Sequence, residues 1–197
     1  MLNLKSILKD IPLPIRLFLG KALLLFIIWK VIYSGFMYDS QYLDHPLTTH
    51  VAEASASLLN NIGMSGFTSK REKTTIVFEG AGTISHLSAI YHDDYKTLNI
   101  ANACNGLEIF VLYIGFIICM PSTFWRKTKY IVLGILILDA INILRCVGLI
   151  YLIEYFEVYF DFAHHYLFKA MVYTTTLIIW GYFARKIHLK NETVQIG

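Results

Sequence analysis

A cysteine, an arginine and a histidine stand near the ends of three different apolar stretches in this chain of 197 residues. Cys104 comes two residues before one stretch, Arg145 seven residues before the end of the next, and His164 opens the last, with His165 beside it. These residue types fit nucleophilic catalysis by sulfur. A thiol is mostly protonated near neutral pH, and a neighbouring cation or helix N-terminus favours the thiolate. Histidine can give a proton to a departing amine. Arginine can donate to the oxyanion of a tetrahedral intermediate without ever losing its charge. Each residue also has a plainer reading. Cysteine is a small packing residue, Arg145 can be an ion-pair partner of Glu108 or Asp139, and the histidines can be interfacial polar groups. Cys119 and Cys146 read as packing residues.

The elements that must position these groups are set by composition. Hydrophobic residues make up 56% of the chain and charged residues 16%, against about 25% charged in a soluble domain. A soluble globular protein and a disordered chain are both excluded on these numbers. The net charge is only +3 and no basic cluster is interleaved with aromatics, so nucleic-acid binding has no support. Three cysteines without a CxxC pair form neither a disulfide framework nor a zinc site, and nothing else in the sequence implies a metal or organic cofactor.

Four windows approach the roughly 20 apolar residues that a membrane helix needs: Leu17–Tyr38, Gly106–Trp125, Lys129–Leu152 and Phe162–Ala184. The expected fold is an all-α integral membrane protein of about four transmembrane helices, forming one membrane domain over residues 1–197. The first span reads as an uncleaved signal anchor, because Tyr33-Ser-Gly-Phe-Met-Tyr38 is a poor cleavage site.

Orientation follows the basic residues. Lys5, Lys9, Arg16 and Lys21, then Arg126, Lys127 and Lys129, then Arg185, Lys186 and Lys190 mark one side of the membrane. The segment Asp39–Ala103 has four Lys/Arg against seven Asp/Glu, and Ile153–Asp161 has none against three. Both chain ends are expected in the cytoplasm and both acidic segments outside. In the long outer segment Pro46 can start a helix. Leu47, Val51, Ala54, Leu58 and Ile62 then recur at helical spacing, predicting an amphipathic helix on the bilayer or the bundle that ends at Gly63 and Gly66. Thr74–Phe78 and Thr97–Ala101, with Gly80-Ala-Gly82 between them, predict a small hairpin.

Lys30, Glu108, Asp139, Arg145 and Lys169 fall inside the predicted spans, where a charge is costly and turns to a bundle interior or cavity. Arg145 lies about 10 Å below the outer surface at helical rise. That depth is close to those of Cys104 and His164. Asp139, Asn142 and Arg145 follow one another at i+3 steps along one side of a helix. Asp139 is expected to pair with Lys30 near mid-membrane, and Asn142 to hydrogen-bond across helices.

The strings Ala103-Cys-Asn-Gly106, Asn142-Ile-Leu-Arg145 and His164-His-Tyr-Leu-Phe168, in this order and topology, resemble the exosortase/archaeosortase family of membrane cysteine transpeptidases and proteases. The short length and the Cys-Asn-Gly-Leu-Glu string look most like the small, exosortase F-like enzymes of Bacteroidetes. The resemblance covers about residues 95–184. It implies Cys104 as nucleophile, Arg145 as transition-state stabiliser and His164 as acid/base. His164 is preferred to His165 because an apolar residue, Phe168, stands four places after it, whereas Lys169 follows His165. Where many members have an arginine four residues after the cysteine, this chain has Glu108, which is expected to pair with Arg145 and orient it, the alternative being a pair with Lys169 or Lys30.

The resemblance further implies a substrate: the C-terminal sorting tail of a secreted protein, with a short motif, a transmembrane helix and basic residues. The enzyme would sit in a bacterial plasma membrane, its site facing the periplasm, and form a thioester acyl-enzyme with no cofactor. The rival from another class is a non-enzymatic membrane subunit, such as a transporter component or assembly factor, whose intramembrane charges lock partner helices. A thiol oxidoreductase using Cys104 with Cys146 is a remote third reading.

Overall fold

The computed structural model describes residues 13–37, 42–78 and 81–194. Lys5, Lys9, Tyr38, Asp39 and Gly80 lie outside the described residues. The apolar stretches fold as helices, since a chain without access to water can satisfy its backbone groups within one segment only in that way. Helix α1 is Leu13–Ile32, continued by a π-turn over Tyr33–Met37. Helix α2 is Asp44–Asn61. Strands β1 (Phe67–Phe78), β2 (Ala81–His92) and β3 (Tyr95–Ile100) follow, then a 3-10 turn over Asn102–Cys104. Helices α3 (Leu107–Cys119) and α4 (Phe124–Tyr155) come next. Short turns from Glu157 and a π-turn over Ala163–Leu167 lead into α5, Phe168–Val194.

Three helical stretches are long and apolar enough to cross a membrane: Arg16–Phe36, Phe124–Tyr155 and Glu157–Arg185. The expected second span is the exception. Helix α3 has only 13 residues, about 20 Å at helical rise, against a hydrocarbon core of about 30 Å. Pro121 is the reason. It lacks an N–H and pushes the residue before it out of the helical region, and Met120 is extended at φ −75°, ψ 141°. The second window, Gly106–Trp125, is therefore a short helix followed by a loop that leads into α4.

The outer segment also differs in detail. Thr74–Phe78 and Thr97–Ala101 do not pair with each other. Strand β2 runs between β1 and β3 in a three-stranded antiparallel meander. Ser85, His86, Ser88 and His92 interrupt apolar alternation along β2, which hid the strand. Helix α2 lies against the bundle. Its buried residues are Asp44, Thr48, Val51, Ala52, Ser55, Ala56 and Leu59; of the expected stripe Leu47, Val51, Ala54, Leu58 and Ile62, Val51 is buried, Leu47, Ala54 and Leu58 are half-buried and Ile62 is exposed. Small residues let its backbone approach a neighbour closely.

Helix α4, 32 residues long and so about 48 Å, is shared by two cores. Its C-terminal part, through Cys146, Val147 and Ile150, packs with Val51, Leu59 and Ile90 of α2 and the sheet. Its N-terminal part, through Leu138, packs with Phe110 and Tyr113 of α3 and Val172 and Phe183 of α5. The Tyr113 hydroxyl donates to the Tyr130 carbonyl at 2.5 Å. A Cβ on Gly134 would come within 2.1 Å of the Tyr113 ring, so only glycine admits it. At the far end of the bundle Arg126 donates to the Phe183 carbonyl at 2.7 Å and Lys127 to that of Ile118 at 2.7 Å, tying α3, α4 and α5 together.

Candidate active site

Cys104 closes the 3-10 turn that follows the sheet, and Gly106 (φ +87°) breaks the chain direction before α3 begins at Leu107. Asn-Gly is a turn signal because glycine takes a positive φ without steric cost. Asn105 holds the turn from inside: its Oδ1 accepts the Leu107 N–H at 2.9 Å, capping one free donor of α3. On the opposite side Asn142, 2% exposed, donates from Nδ2 to the Cys104 carbonyl at 3.2 Å. One helical turn further along α4, Arg145 Nη2 donates to Cys104 Sγ at 3.5 Å.

Cys104, Gly106, Asn142 and Arg145 line a cavity of about 420 Å³ together with His164 from the π-turn before α5. Helix α1 contributes Phe26, Trp29 and Lys30 to it, α3 Glu108, and α5 Lys169. The His164 ring stacks on Phe160 at 5.7 Å, tilted by 5°. Among the described residues, His164 Nδ1 and Arg145 Nε are buried polar atoms without a hydrogen-bond partner. His165 is turned aside. It is exposed, its Nδ1 lies 3.0 Å from the Asp161 carbonyl, and it does not line the cavity. Cys104 is partly buried and Cys146 is buried in the outer core, and all three cysteines are free.

Two expected pairings do not occur. Glu108 does not reach Arg145; its Oε1 lies 3.3 Å from Lys30 Nζ on α1. Projecting Cys104 and Glu108 onto one helical face fails because Cys104 sits in the 3-10 turn and Gly106 reverses φ between them. Lys30 in turn does not meet Asp139, whose Oδ2 lies 2.9 Å from His50 Nε2 on α2. Steps of i+3 drift by about 60° each on a helix. Asp139 therefore faces the outer helix while Arg145, six residues on, faces the cysteine turn.

The sequence reading missed a buried network behind Asn105. Asp44, 2% exposed, accepts from Asn105 Nδ2 on Oδ1 at 2.8 Å and from the Tyr33 hydroxyl on Oδ2 at 2.7 Å. Thr48 donates to the Asp44 carbonyl at 2.6 Å. The one local sign was Asp44 standing two residues before Pro46 at a helix start, and it was counted only among the outer acids. Among the described residues no group of three or more His, Cys, Asp or Glu could hold a metal ion.

No curated protein and no solved structure matches the chain. The family model described as "Transmembrane exosortase" matches residues 13–181, a stretch that runs from α1 into α5 and takes in the cysteine turn, Arg145 and His164. The chain therefore belongs to the transmembrane exosortase family.

Proposed function

We propose that this membrane protein of a transpeptidase family is a cysteine transpeptidase or protease that cleaves C-terminal transmembrane sorting tails of secreted proteins, with Cys104 as nucleophile. The observation that carries the reading is the Arg145 guanidinium on the Cys104 sulfur at 3.5 Å, in the cavity His164 also lines. A cation beside sulfur stabilises the attacking thiolate. The Sγ–C bond forms at the scissile carbonyl, and the Arg145 guanidinium beside the sulfur stabilises the oxyanion. His164 takes up the Cys104 thiol proton as the thiolate forms and delivers it to the leaving amine as the C–N bond breaks. The thioester is resolved by an external amine or hydroxyl, giving transfer, or by water, giving hydrolysis. The active side faces the periplasm and both termini the cytoplasm. Arg126 and Lys127 gather the other ends of the helices, consistent with basic residues remaining inside.

The test is co-expression with a secreted protein whose C-terminus carries a short motif, an apolar helix and a basic end. Mass spectrometry of that protein should show loss of the tail with the wild-type chain and an intact tail with Cys104→Ala. A Cys104→Ala chain that still removes the tail overturns the proposal and favours the reading as a non-enzymatic subunit.

A further inference from the structure

We infer that Asp44 is a positioning residue for the Cys104 turn, acting through Asn105; the inference rests on the reading of Cys104 as nucleophile. Asp44 does not line the cavity, and its role is mechanical. A carboxylate 2% exposed is costly to bury and persists only where its oxygens are satisfied. Here each oxygen has one partner on a different element: Asn105 in the cysteine turn and Tyr33 at the end of α1. Asp44 opens α2, where the helix N-terminus favours negative charge.

Asn105 is 1% exposed and spends both ends of its amide on the turn. Nδ2 goes to Asp44, and also lies 3.4 Å from Thr48 Oγ1, while Oδ1 goes to the first N–H of α3. The side chain next to the nucleophile is thereby clamped to the outer helix. The nucleophile's own carbonyl is clamped to α4 by Asn142. With both clamps the sulfur is held beside Arg145. Without the Asp44 clamp, the α2 side holds the turn only through the long 3.4 Å contacts of Thr48 with Asn102 and Asn105, and Asn105 is freer to rotate and release the Leu107 N–H.

The test uses the full chain in membranes. The rate of alkylation of Cys104 by iodoacetamide, read by peptide mass spectrometry, needs no substrate. Processing of a tail substrate is read in parallel as kcat and KM. Asp44→Ala and Asn105→Ala are each expected to change Cys104 alkylation several-fold. They should also lower kcat between about tenfold and a hundredfold, the scale on which misplacing a reacting group registers, with KM within about twofold. The double variant should be no worse than the poorer single one, because both break the same link. Asp44→Asn keeps an acceptor for Asn105 and should restore most of the rate. Should the alanine variants fail to accumulate, Tyr33→Phe decides. It frees one Asp44 oxygen without touching the turn and should give the same change in smaller measure. Unchanged alkylation and kcat in every variant that folds overturn the inference. Processing by Cys104→Ala would instead sink the peptidase reading, while the alkylation data would still report on the clamp.

Discussion

Replacing Gly106 tests how the cysteine is presented. Its φ of +87° lies where a side chain collides with its own backbone, and placing an L-residue there costs about 1–3 kcal/mol. A Cβ would also lie 3.3 Å from Phe110 Cζ and 3.4 Å from Asn142 Nδ2, contacts that yield by a few tenths of an ångström. The backbone term therefore dominates in Gly106→Ala, and the expected loss is about 1–3 kcal/mol. Asparagine tolerates the left-handed region better than alanine, and valine worst of all. The series should run Gly106→Asn, Gly106→Ala, Gly106→Val in order of increasing damage. Two assays separate where the strain goes. If the turn keeps its shape, thermal unfolding in detergent drops by several degrees while Cys104 alkylation holds. If the turn flips to a negative φ, stability partly returns, but Cys104 leaves Arg145, and both alkylation and tail removal fall. A Gly106→Val chain with wild-type unfolding temperature, alkylation and processing would refute the left-handed turn as the device that presents the sulfur.

The two histidines should separate cleanly. His164→Gln is expected to lower processing by about 10²–10⁴-fold, the range of a lost general acid, whereas His165→Gln stays near wild type; the reverse pattern in a tail-removal assay would move the role to His165. The outer sheet should depend on pH through Glu72. Hydrogen bonds from Lys96 and Tyr91 hold its carboxyl below the ordinary value of 4.5, so its contribution is present above about that value and is lost as the pH falls through the lowered one. Amide exchange in β2 and β3 should loosen in acid for the wild type and much less for Glu72→Gln, and an equal acid response in both would count against the pairing.

The convergence of Cys104, Arg145 and His164 on one cavity is legible because Cys104 and His164 stand at the ends of apolar stretches and Arg145 two turns inside one, so that hydropathy gives each a depth. Asn142 was legible for the same reason, one turn from Arg145. The misses have other causes. Glu108 was assigned by helical projection across a residue that is not helical. Helix α3 was overlong because a hydropathy window counts apolar residues on both sides of Pro121. Asp44 and Asn105 are 61 positions apart, and no local period connects a helix start to a turn that distant. Periodicity reveals helix α2 and puts Val51 on its buried side, but that side is centred nearer Thr48, Ala52, Ser55 and Ala56, small residues that a hydrophobic stripe does not pick out.

Helix α4 also works as a ruler. Arg126, which binds the far ends of its neighbours, and Arg145, which touches the sulfur, ride one uninterrupted rod 19 residues apart, about 28 Å and close to the thickness of a bilayer's oily interior. That spacing cannot stretch. In a thinner or thicker membrane the rod must tilt or the lipid must deform around it, so the distance between the Cys104 thiol and the far end of the bundle is set by the protein, and the surrounding lipid has to conform.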